Sequence, residues 1–162
     1  MGLDMYLYLR KYESCSRWST EDFEKKKKEF YPEELKELAD NIAKNNFMSK
    51  HSEYQVAYWR KANQIHNYFV ENCADGEDDC RPVYVKLGDL KELVSLCREV
   101  IENPKKAKDI LPTQDGFFFG SVEYDEDYEQ DLEYTVEQLE PIIKFLESPE
   151  GKDYDIIYRA SW

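Results

Sequence analysis

The chain opens on an alternation in which Met5, Leu7 and Leu9 are aliphatic while Tyr6, Tyr8 and Arg10 between them are aromatic or charged. A period of two suits a half-buried strand, so Leu3 to Tyr12 reads as the first strand, ended by the small polar cluster Ser14, Cys15 and Ser16. Ser19 or Thr20 is placed to cap a charged helix running through Phe30, and Pro32 sits at the first turn of another, Glu33 to about Lys44. From Tyr54 to Asn72 no Gly or Pro intervenes, and Tyr58, Ala62, Ile65 and Phe69 recur at helical spacing. That pattern predicts a central buried helix over the whole stretch.

An acidic loop from Cys73 to Pro82 leads to a short strand, Val83-Tyr84-Val85. Gly88 and Asp89 then open an amphipathic helix whose apolar face is Leu90, Leu93, Val94, Cys97, Val100 and Ile101, and Asn103-Pro104 ends it. Lys105 to Asp115 reads as a loop. Gly116-Phe117-Phe118-Phe119-Gly120 reads as a buried turn or brief strand, because three adjacent phenylalanines demand burial. A helix from about Glu126 to Glu147 follows, with Pro141 predicting a kink or break, and Tyr154 to Arg159 forms a strand able to pair with the first. Brief strands among several helices predict an α+β class: a mainly helical single globular domain, 1–162, whose small sheet has the N- and C-terminal strands adjacent.

Composition narrows the classes. Apolar residues make up 41% of the 162, enough for a core and against disorder. No apolar run approaches the roughly 20 residues of a membrane span, and Met1 is followed by Asp4 and Arg10 without a cleavable apolar segment, so a soluble, unexported protein is expected. The formal net charge is −13; up to Lys61 there are 12 basic and 11 acidic residues, and after it 10 and 24. A field of that sign repels phosphate backbones, which argues against direct nucleic-acid binding and leaves basic proteins as possible partners. Cys15, Cys73, Cys80 and Cys97 are expected to be reduced thiols, and two histidines without a C-x-x-C pair exclude a zinc finger. The acids around Gly76 do not match an EF-hand, so no metal and no cofactor is expected.

Candidate chemistry centres on the segment read as the central helix. Trp59, Asn63, His66 and Val70 repeat the spacing of the buried stripe one position round, which sets a polar pair beside the core. A histidine in a partly dry place can exchange protons near neutrality, Asn63 is near enough to orient it, and Arg60 or Lys61 offers charge for an anion. The plainer alternative is a core-edge histidine bonded to backbone or to Asp78 or Asp79. Phe118 and its neighbours offer an aromatic shelf or simply core. From Ser121 to Ile143 nine carboxylates occur without a Lys or Arg, and Glu123, Asp127, Asp131 and Glu137 are its candidate interaction face, or else the wet side of an amphipathic helix.

Gly2-Leu3-Asp4-Met5-Tyr6-Leu7-Tyr8, the run Tyr58-Trp59-Arg60-Lys61-Ala62-Asn63-Gln64-Ile65-His66, Asp78-Asp79-Cys80, the run Leu111-Pro112-Thr113-Gln114-Asp115-Gly116-Phe117-Phe118-Phe119-Gly120 and Glu133-Tyr134-Thr135 together resemble a family of small uncharacterised proteins encoded by bacteriophages and prophages. The likeness runs nearly end to end, although Phe23 to Ser52 carries none of these strings. It implies a phage source and a bacterial host cytoplasm, and no activity. It also groups Asn63, His66, Asp79 and Gly116 to Gly120, which are expected to meet in one cleft.

Three functional expectations follow. The first is an accessory protein that binds without turnover, holding a small polar or nucleotide-like ligand at Trp59, Arg60, Asn63, His66, Asp79 and Phe118, or a host protein through its acidic face. The second is a small enzyme with His66 as general acid or base, Asn63 orienting it, Arg60 stabilising an anion and Asp79 tuning the imidazole. The third is an acidic mimic of DNA that occupies the basic groove of a host nucleic-acid-binding protein. Oligomeric state does not follow from the sequence.

Overall fold

The structure is a computed structural model, and it describes residues 2–162. Strands β1 (Asp4–Ser16), β2 (Phe47–Arg60), β3 (Val83–Val85) and β4 (Tyr154–Ser161) form one antiparallel sheet in the order β2-β1-β4-β3, so the N- and C-terminal strands are adjacent as expected. Helices α1 (Phe23–Phe30), α2 (Lys36–Ala43), α3 (Asn63–Cys73), α4 (Leu87–Glu102), α5 (Ala107–Ile110) and α6 (Glu126–Glu147) make the fold α+β. Among the described residues no helix is long and apolar enough to cross a membrane.

The chain divides into two compact units. The first comprises residues up to Arg10 together with Tyr54–Trp162. Its core is built from the inward residues of β1 (Met5, Leu7, Leu9), from Ala57 and Trp59 of β2, from Ile65 and Phe69 of α3, and from the apolar faces of α4 and α6. The register Val83↔Tyr158, Tyr84↔Ile157, Val85↔Ile156 joins β3 to β4. The second unit, Lys11–Glu53, has its own small core of Cys15, Phe23, Phe30, Ala43 and Met48. Within it Lys27 lies between Glu24 and Asp40, and Lys50 pairs with Glu13.

The largest departure from the sequence reading lies in Tyr54 to Asn72. Its first half is strand: Ala57 and Trp59 point into the core while Arg60 is exposed, a period of two hidden behind the chance i, i+4 spacing of Tyr58 and Ala62. Lys61 then turns the chain with a left-handed φ of 62°, and α3 starts at Asn63. Trp59 therefore stands on a strand and shares no helix face with Asn63 and His66. On α6 the side chain of Gln138 accepts from Tyr58 N–H at 3.1 Å and donates to Tyr58 C=O at 3.1 Å, taking up both backbone groups of that strand residue.

Smaller corrections have local causes. Asp22, not Ser19 or Thr20, caps α1 by accepting from Lys25 N–H. The second predicted helix begins as a 3-10 turn, Glu33–Leu35, before α2. The segment read as a loop after Asn103 holds a 3-10 turn, Pro104–Lys106, and α5. Helix α6 continues through Pro141 without a break; the carbonyl that loses its partner belongs to Glu137, an exposed position that water can reach. Of the three phenylalanines only Phe119 is buried, and Phe117 is 94% exposed. Gly116 explains the turn: the Phe119 ring lies 2.6 Å from where a Cβ would be, so only glycine lets it fold back.

Candidate ligand-binding site

Asn63 and His66 lie in one packed cluster around Phe119. Each is 1% exposed. The Asn63 amide donates to the carbonyls of Phe119 at 3.1 Å and Ser121 at 2.7 Å, and its oxygen accepts from Gln114 N–H at 3.0 Å. One carboxamide thus ties the start of α3 to both ends of the Gln114–Ser121 loop. Trp59 donates its indole N–H to Thr135 on α6 at 2.9 Å.

His66 stands between Tyr158 on β4, 2.7 Å from Nδ1, and Asp78, 3.0 Å from Nε2, with its ring edge-on to Phe119. Burial holds the Tyr158 phenol well above its ordinary range, so the hydroxyl keeps its proton. The proton arrangement consistent with that network has Tyr158 donating to Nδ1 and Nε2–H donating to Asp78. Asp78 also accepts from the Trp162 indole at 3.1 Å. Asp79 borders the same small space as His66 but does not bond it; it accepts from Arg81 N–H and is exposed. The space beside His66 is about 10 Å³, room for one water at most. Both ring nitrogens are occupied inside the protein, and Asn63 and His66 face packed neighbours rather than a shared hollow.

The open cleft lies one residue away. Arg60 and Lys61, at the β2–α3 junction, face Gln64 of α3 together with Glu123, Asp125, Asp127 and Asp131 on and before α6. The cavity is about 380 Å³, also bordered by Gly120, Ser121, Tyr128 and Gln130. Lys61 approaches because Gly120, at φ +94°, has no side chain: a Cβ there would sit 3.0 Å from the Lys61 Cβ. Asp125 caps α6 by accepting from Tyr128 N–H at 3.2 Å. Asp127 and Asp131, one turn apart on α6, share the cleft, whereas Glu137 is exposed outside it. The acidic face read from the sequence is therefore divided.

Asp131 is the group most altered by its surroundings. Desolvation pushes its carboxyl up to about 6; the Gln64 amide, 3.1 Å away, pulls it down, and Asp127 and Asp125 add to the rise. The folded state therefore holds this proton more tightly than the unfolded chain does. The ionised group lowers stability above about pH 6, and that penalty fades as pH falls towards about 4. After allowance for partial exposure, Asp131→Asn is expected to stabilise by about 1 kcal/mol, a few degrees in melting temperature, at about pH 7.5 and by nothing near pH 4. Circular dichroism melts at both values check it.

Arg60 and Lys61, the charges expected beside the site, line this cleft. Gln64 carries no signal in the sequence, since a glutamine beside an asparagine is ordinary. Phe118 is half-buried; its carbonyl accepts from Leu3 N–H at 3.1 Å and lies outside the cleft. Among the described residues no group of three or more His, Cys, Asp or Glu is placed to hold a metal ion. All four cysteines are free. Comparison of the chain with family models, with curated proteins and with solved structures finds no match.

Proposed function

We propose that the chain is a phage-type accessory protein of the bacterial cytoplasm that acts by binding a small polar ligand, and that the ligand occupies the cleft between Arg60, Lys61, Gln64 and Asp131. Support for the source and the compartment is confined to the sequence strings that resemble phage proteins. Support for binding is one observation: the cleft sets two cations against four carboxylates around a hollow of about 380 Å³, within the usual range for small-molecule sites. The side chains of Arg60 and Lys61 form no hydrogen bond or ion pair with the described residues, so their charge remains open to a ligand. Four carboxylates repel phosphate groups, which removes nucleotides from the favoured ligands.

The test is amide chemical-shift mapping on the isotope-labelled full chain with a panel of charged and polar metabolites. The expected result is a saturable shift at Lys61, Gln64, Gly120 and Asp131 with at least one compound, lost in Arg60→Glu. Shifts confined to other surfaces, or none with any compound, would overturn the reading.

A further inference from the structure

We infer that the ligand of this cleft is a dibasic α-amino acid of the arginine or lysine type, its carboxylate held by Arg60 and Lys61 and its side-chain cation by Asp131 and Asp127. The inference rests on the reading of the cleft as a ligand site and adds the ligand's chemistry. Three observations carry it.

The first is Gln64, which is 2% exposed and still borders the cleft. Its amide N–H goes to Asp131, and its carbonyl oxygen has no partner among the described residues. That oxygen opens to the cleft, where a ligand N–H can replace the water that otherwise pairs with it. Next to it stands the second observation, the Asp131 carboxylate. It is desolvated enough to be pushed up to about 6, yet its side chain is bonded only by the neutral Gln64 amide. An acceptor carbonyl and a carboxylate side by side suit an N–H-rich cation, a guanidinium above all.

The third observation is the sign pattern. Asp131 shares the cleft with Gln64 of α3, with Arg60 and Lys61 from the end of β2, with Glu123 and Asp125 before α6, and with Asp127 on α6 itself; Gln64, Asp127 and Asp125 are the ones that act on its carboxyl. A simple polyamine would leave Arg60 and Lys61 unpaired and repelled. A dicarboxylate would leave the acids so. A neutral zwitterion matches both walls but not the excess of two carboxylates, whereas a dibasic amino acid adds one more positive charge. The two cations in the cleft repel a metal ion.

The experiment is calorimetric titration of the full chain near neutral pH and low salt with L-arginine and L-lysine. Agmatine, which lacks the carboxylate, and L-citrulline, which lacks the side-chain charge, are the controls. One of the two amino acids is expected to bind with one-to-one stoichiometry, and both controls at least about tenfold more weakly, the equivalent of about 1.4 kcal/mol. Asp131→Asn, which keeps the fold, should lose at least about tenfold, and so should the unaltered protein near pH 5, where Asp131 takes up its proton. Agmatine binding as tightly as arginine would overturn the amphoteric ligand in favour of a bare cation site. If neither amino acid binds while another metabolite shifts Gln64 and Gly120, the ligand class falls and the site stands. If no compound shifts those residues, both fall.

Discussion

Asn63→Ala is expected to destabilise the protein by about 3–4 kcal/mol, the largest effect of any single polar substitution considered. Two carbonyls and one N–H lose their partner at once, and each bond is worth about 1 kcal/mol with a further penalty for buried groups left unpaired. Urea denaturation gives the magnitude. Hydrogen exchange gives the location: protection should fall first at Gln114 to Ser121, because the carboxamide is what joins that loop to the start of α3. Unchanged stability would mean that the three bonds are replaced by water at little cost.

His66→Leu is expected to cost about 2–3 kcal/mol. Leucine nearly fills the volume of the imidazole, so the loss reports hydrogen bonding more than packing. Tyr158, 3% exposed, would keep its proton and have no acceptor for it. Tyr158→Phe in the same chain should therefore recover part of the loss, giving a coupling of about 1 kcal/mol or more in a double-mutant cycle. A histidine retained for chemistry rather than cohesion would show the opposite pattern, normal denaturation with altered ligand response.

Much of the architecture was legible because long amphipathic patterns report their surroundings directly. The limits of α6 coincide with the reading, Leu87–Glu102 follows the stripe from Leu90 to Ile101, and the terminal strands are adjacent as their alternation suggested. The segment from Tyr54 to Arg60 was not legible as strand. Its turn is made by Lys61 in a left-handed conformation, with no Gly, Asn or Pro to punctuate it, and two apolar residues continued the helical spacing across the boundary. The charged walls of the cleft are visible as residues, but their convergence is not, since Arg60 and Asp131 reach one cleft only because α6 is bonded to the end of β2 through Thr135 and Gln138 and to α3 through Asp131 and Gln64. Asn63 and His66 attracted notice for chemical versatility, and that same capacity to donate and accept lets them satisfy buried backbone and phenol groups. Residue type alone does not separate the two uses.

The Gln138 clasp on Tyr58 bears on self-association. Strand β2 lies at one end of the sheet, where an unpaired row of amides and carbonyls is the usual template for another chain to add on. At Tyr58 both groups are already taken by a side chain, so an incoming strand would have to displace a carboxamide before it could zip. The opposite end is β3, three residues long and too short to seed a ribbon. Strand addition thus meets a plug at Tyr58 on one margin and a three-residue strand on the other.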